Sequence, residues 1–190
     1  AGEGVDQGER VPGEQDPAPA RGRPVRGERQ VVGAQPDQRA RIDLGQQGAE
    51  ALDEALAERP GPGLVSIMWG NNETGTTQPV REIGARCSAR GVAFHSDAVQ
   101  ADGHVPVRVE DAGCALLSIS AHKLGGPPGV GVLYVREGTA LEPLMGGGGQ
   151  ERGLRAGTSN VAGAVGLATA LELAVAELPG EGARLAGLRD

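Results

Sequence analysis

An α/β fold with a mostly parallel sheet flanked by helices is the expectation, on three observations. Short apolar runs of strand length recur at Leu64 to Met68, Val92 to His95, Cys114 to Ile119 and Val130 to Val135. Segments with apolar residues at helical spacing separate the first of them. Clusters of glycine and proline mark each change of pattern, as turns do.

The elements follow in order. A helix from Gln47 to Glu58 carries Ala49, Leu52, Ala55 and Leu56 on one face and ends at Pro60-Gly61-Pro62-Gly63. The strand Leu64 to Met68 follows. A helix then opens at Pro79, where the missing N–H costs nothing, and closes before Gly91. The strand Val92 to His95 completes a βαβ unit. The run Cys114 to Ile119 is short, bounded and apolar on both faces, so it reads as a buried parallel strand, and Val130 to Val135 continues the sheet. Last comes a helix from Asn160 to Leu178, stopped by Pro179-Gly180.

The chemistry concentrates at strand ends, where open α/β sheets bind ligands. Ser120-Ala121-His122-Lys123 follows the Cys114 strand, so Lys123 enters a crevice where partial desolvation lets its amine form a Schiff base with a carbonyl. Asp97 follows the Val92 strand. A lysine and a carboxylate on neighbouring strand ends meet the needs of pyridoxal phosphate: the amine holds the aldehyde and the acid pairs with the pyridinium nitrogen. Asn71-Asn72-Glu73-Thr74-Gly75, after the first strand, offers amides to a phenolic or carboxylate oxygen.

These motifs resemble the cysteine desulfurases of the class V aminotransferase group, pyridoxal-phosphate enzymes of fold type I. The likeness rests on Asn71-Asn72-Glu73-Thr74-Gly75, Asp97-Ala98-Val99-Gln100, Ser120-Ala121-His122-Lys123 and Gln150-Glu151-Arg152-Gly153-Leu154-Arg155-Ala156-Gly157-Thr158, in matching order and spacing across about Gln47 to Leu178. Thr74 is a mild departure, since a β-branched apolar residue is common there. The resemblance implies the central part of a fold type I large domain. It implies that Lys123 is catalytic and holds the cofactor as a Schiff base, that Asp97 pairs with the ring nitrogen, and that Asn72 and Gln100 contact the ring oxygen. Ser120 and His122 would hold the phosphate, and Thr158 would reach the phosphate of the other subunit in a homodimer. The implied reaction converts L-cysteine to L-alanine, with the sulfur passing to an enzyme persulfide and on to an acceptor protein such as an iron–sulfur scaffold. Selenocysteine lyase and other aminotransferase-like activities use the same scaffold, and a non-catalytic fragment is the rival from another class.

Composition narrows the partners. A net charge of −7, with Trp69, Phe94 and Tyr134 as the aromatics, argues against a nucleic-acid surface. Val161 to Leu178 comes nearest to a membrane span but carries Glu172 and Glu177, and the expectation is a core helix in a soluble chain. Cys87 and Cys114 have no metal-site spacing and read as small core residues in a reducing cytoplasm. No metal site is expected. The family's catalytic cysteine would lie on a loop beyond the glycine-rich motif, which this chain does not reach.

Residues 1–46 stand apart from 47–190. Up to Arg41 the large aliphatics are five valines, and seven basic residues balance seven acidic ones, a composition that cannot bury enough apolar surface to offset ordering. The segment is expected to be disordered. The resemblance would place a phosphate turn and a ring-stacking histidine there, yet the first histidine is His95. A frameshifted or truncated reading, testable by sequencing the gene on both sides of the codons for residues 41–48, accounts for the abrupt change and for the expectation that this chain is inactive as it stands.

Overall fold

The computed structural model describes residues 40–41, 48–58 and 63–190. Ala40–Arg41 forms a two-residue strand, β1, within the stretch expected to be disordered. The rest of residues 1–47, on which the disorder and frameshift expectations fall, lies outside the described residues.

Helix α1 (Gly48–Glu58) leads to strand β2 (Leu64–Met68), helix α2 (Val80–Ala89) and strand β3 (Ala93–Asp97). The short helix α3 (Val109–Ala112) leads to β4 (Leu116–Ser120), a 3₁₀ turn at Ala121–Lys123 and β5 (Gly131–Val135). The strands lie in sequence order, β1 to β5. The first four run parallel, and β5 returns antiparallel to β4. The fold class is therefore the expected one: a mixed, mostly parallel sheet with helices.

The core occupies one face. Strand side chains alternate between faces, so Val65 and Ile67 of β2 and Phe94 and Ser96 of β3 point the same way, and all four are buried. Against them pack Leu52 and Leu56 of α1 with Val80, Ile83 and Cys87 of α2. Gly84 permits the closest approach: a Cβ there would stand 1.9 Å from the carbonyl oxygen of Ala112. Asp53 of α1 ties the two helices by ion-pairing with Arg86 and, at 2.7 Å, with Arg90. Gly91 ends α2 at φ +65°, a left-handed conformation that costs a glycine little.

Three expectations fail on this architecture. The Cys114 run is not apolar on both faces, because Ser118 and Ser120 lie on the half-open side. The last helix, α4 (Val161–Arg189), does not stop at Pro179 but runs for 29 residues. Proline removes one helical hydrogen bond without forbidding continuation, and beyond it Glu181 and Arg184 pair at 2.7 Å across one turn. Nor is α4 a core helix among the described residues. Gly163, Leu167 and Ala170 are buried, while Val161 and Val165 are 69% and 60% exposed. By length and composition alone it is apolar enough to cross a membrane, with a window of mean hydropathy 1.7. Its small-residue side nevertheless sits on protein: a Cβ at Gly166 would lie 2.9 Å from Pro127, and one at Gly126 3.0 Å from Ala170.

Candidate active site

The carboxyl ends of β2, β3 and β4 adjoin. Met68 pairs with Asp97, and Asp97 pairs with Ser118, so the ends form a step from the Asn71 turn through Asp97 to Ser120. β3 runs two residues further than the apolar pattern indicates, which places Asp97 as its last residue.

At the β2 end, Asn71 shapes the turn. Its side-chain oxygen accepts the N–H groups of Glu73 (2.8 Å) and Thr74 (3.1 Å), which satisfies that oxygen locally and leaves Asn72 exposed. Asn72 and Gln100 line one open cleft of about 290 Å³ with Asn71, Thr76, Thr77 and His104. At the β3 end, one carboxylate oxygen of Asp97 accepts the Val99 N–H at 2.9 Å. At the β4 end, the hydroxyl of Ser120 and Nδ1 of His122 are 2.7 Å apart. Lys123 closes the 3₁₀ turn, exposed and with no partner among the described residues.

Thr158 stands apart, exposed in the loop before α4. Asn160 caps that helix by accepting the Gly163 N–H at 3.0 Å. In the glycine-rich loop, Glu151 and Arg152 adopt φ of 49° and 56°, unusual for residues with side chains. Arg155 donates to the Ala156 carbonyl next to it.

The two-residue spacing already sets His95 beside Asp97 on an extended strand, and the structure adds Ser66 and Ser118, which the sequence did not single out. His95 is bridged by Ser66 Oγ at 2.7 Å on Nδ1 and by Ser118 Oγ at 2.8 Å on Nε2. Burial pushes its pKa below the ordinary histidine value, partly offset by Asp97. The two-residue spacing from His95 to Asp97 signals a shared strand face, but the serines become visible only once the register is known. His104, in the turn after Gly103, is on the cleft wall. Cys87 and Cys114 are fully buried, and burial raises both thiols to about 11.

The donor set suits pyridoxal phosphate. Among the described residues there is an unpaired amine for the aldehyde, a carboxylate with no cation partner for the ring nitrogen, two cleft-lining amides for the ring oxygen, and a hydroxyl–imidazole pair for the phosphate.

Comparison with known proteins agrees with this chemistry. The aminotransferase class-V family model matches residues 31–181, beginning inside the stretch that composition sets apart. Cysteine desulfurase IscS of Clostridium botulinum is 53% identical over 126 residues, 66% of this chain and 32% of that protein. The IscS-like cysteine desulfurase of Mycobacterium tuberculosis is 49% identical over 146 residues, 77% of this chain and 37% of the relative. Among solved structures, the NifS-like protein from Rickettsia africae superposes with a TM-score of 0.65 at 35% identity, over 73% of this chain and 39% of its own. DndA from Streptomyces lividans gives 0.63 at 43% identity, over 70% and 38%. The chain spans about a third of the length of the curated relatives it matches. With its fold, its strand-end motifs and the family model in agreement, the chain belongs to the class-V aminotransferase family, and within that family it is similar to cysteine desulfurases.

Proposed function

We propose that this chain is the central, cofactor-holding part of a pyridoxal-phosphate-dependent cysteine desulfurase. One observation carries the reading most: Asp97 and Lys123 stand on adjacent strand ends, and neither has an ion-pair partner among the described residues. Bound pyridoxal phosphate supplies an electron sink for chemistry at the α-carbon of an amino acid. The chain's own groups do the rest. Lys123 would hold the aldehyde carbon, and its Nζ, when free, would carry a proton. Asp97 keeps the ring nitrogen protonated. Ser120 and His122 grip the phosphate, and Asn72 and Gln100 orient the ring oxygen from the cleft wall. L-cysteine is the substrate this reading assigns, supported by the similarity to IscS proteins and by a solved neighbour described as SspA in complex with cysteine, 43% identical at a TM-score of 0.62.

The thiolate that takes the sulfur is neither Cys87 nor Cys114. A buried thiol raised to about 11 is almost wholly protonated at neutral pH, and it has no path to a substrate at the strand ends. The reading extends to a homodimer in which Thr158 reaches the partner subunit's cofactor and the exposed apolar flank of α4 packs against protein. It also extends to transfer of sulfur to an iron–sulfur scaffold in a reducing cytoplasm, which suits two unpaired thiols.

The test is covalent trapping. Borohydride reduction after incubation with pyridoxal phosphate should leave the pyridoxyl group on Lys123 by peptide mapping, and Lys123→Ala should abolish the adduct. Label on another residue rejects the assignment. Asp97→Ala should still give a reducible adduct but retain the cofactor poorly.

A further inference from the structure

We propose that Ser66, His95 and Ser118 form an oriented hydrogen-bond relay across three strands that ends at Asp97, making His95 a positioning residue for the ring-nitrogen partner; the cofactor part of this rests on the function proposed above.

The register gives the relay a direction. Ser66 of β2 is opposite His95, and Ser118 of β4 is opposite Asp97, so the bonds climb from the level of His95 to that of Asp97. All four side chains share one face of the sheet, since paired residues in a parallel sheet point the same way and Asp97 is two residues from His95. Both imidazole nitrogens are in use, at 2.7 Å and 2.8 Å.

A neutral imidazole donates from one nitrogen and accepts at the other, which allows two arrangements. In one, Ser66 donates to Nδ1, Nε2–H donates to Ser118 Oγ, and the Ser118 proton is left for a further acceptor. In the other, the proton left over belongs to Ser66. The neighbours decide between them. Ser66 is flanked on its own strand face by Leu64 and Met68, which accept nothing strongly, whereas Ser118 is the register partner of Asp97, on the same sheet face though not hydrogen-bonded to it in this structure. One Asp97 oxygen is already engaged by the Val99 N–H. A Ser118 proton on the same carboxylate would hold its plane and leave lone pairs directed to the cofactor. Burial disfavours a charged imidazole here, in keeping with a neutral relay.

The experiment uses the 190-residue chain without cofactor. Long-range ¹H–¹⁵N spectra of the imidazoles at pH 7 should show His95 neutral and protonated on Nε2. An Nδ1–H tautomer or an imidazolium would overturn the relay without any variant being made. The second readout is amide exchange at Val99. Ser118→Ala should accelerate it on the order of ten-fold, as loss of one restraint on Asp97 implies, while amides of α2 stay unchanged. Unaltered exchange at Val99 also overturns the proposal. Quenching of Trp69 fluorescence by added pyridoxal phosphate then reports affinity, which Ser118→Ala should weaken several-fold. Wild-type chain that takes no cofactor would sink the proposed function and leave the tautomer and exchange results to judge the relay.

Discussion

On one face of the sheet, Val65, Ile67, Phe94 and Ser96 are sealed beneath α1 and α2; on the other, one residue out of phase, Ser66, His95 and Ser118 are half-open and joined by hydrogen bonds. The same strands build both. The closed face gains free energy by removing apolar area from water, so it tolerates little change in volume. The open face gains little from burial and spends its side chains on orienting polar groups toward the strand ends. Stability and chemistry are thus separated by one step of the strand alternation, and substitutions on the two faces should fail differently.

The largest effect is expected on the closed face. Phe94, 2% exposed, is among the largest fully buried side chains, and Phe94→Ala should cost about 3–5 kcal/mol in urea unfolding and remove cofactor binding along with the fold. Gly84→Ala should cost about 1–3 kcal/mol, because the new methyl must displace the Ala112 carbonyl and backbone moves less readily than a side-chain tip. A cost near zero would show that α2 and α3 part easily and that the closed face is softer than its packing indicates.

Thiol reactivity sharpens the contrast from the same side. With pKa values near 11, roughly one Cys87 or Cys114 in a thousand is ionised at pH 8, so disulfide-reagent labelling of the native chain should be about a hundred-fold slower than after denaturation. Rapid labelling at native pH would reopen these cysteines as sulfur acceptors.

The smallest effect belongs to the open face. His95 has a folded-state pKa below its ordinary 6.5, so the unfolded chain binds the proton more tightly. Stability from this group is present above pH 6.5 and declines as the pH falls toward the folded value. Measured between pH 7.5 and 5, His95→Phe should lose part of that acid-side decline, while a variant on the closed face should keep it.

Much of this was legible from residue order. Strand β2 has the expected limits, Leu64 to Met68, because a short apolar run between glycine-rich turns has few other ways to fold. α1 starts one residue later than its pattern indicates and ends where expected, at Glu58. Lys123, Asp97 and Asn72 stood out because amine, carboxylate and amide recur just past strand ends, while Gln100 entered through the family resemblance. The failures have a common cause. Pro179 reads locally as a stop, yet a helix can pass a proline when the residues beyond it favour the helix. The apolar stretch of α4 reads as core, but apolarity records a preference for burial and does not specify the partner that provides it.

The order of the elements, the placement of reactive groups at their ends and the buried character of both cysteines were determined by the sequence itself, since each depends on local spacing and on side-chain chemistry. Tertiary structure alone decided which strands adjoin and in what register. Register is a relation between distant segments, and a shift of one residue exchanges the two faces of a strand. It set Ser66 and Ser118 against His95, brought Asp97 level with Ser118, and left most of α4 exposed. None of these could be read from any one segment, because each joins segments far apart in sequence, the two histidine bonds spanning 29 and 23 residues.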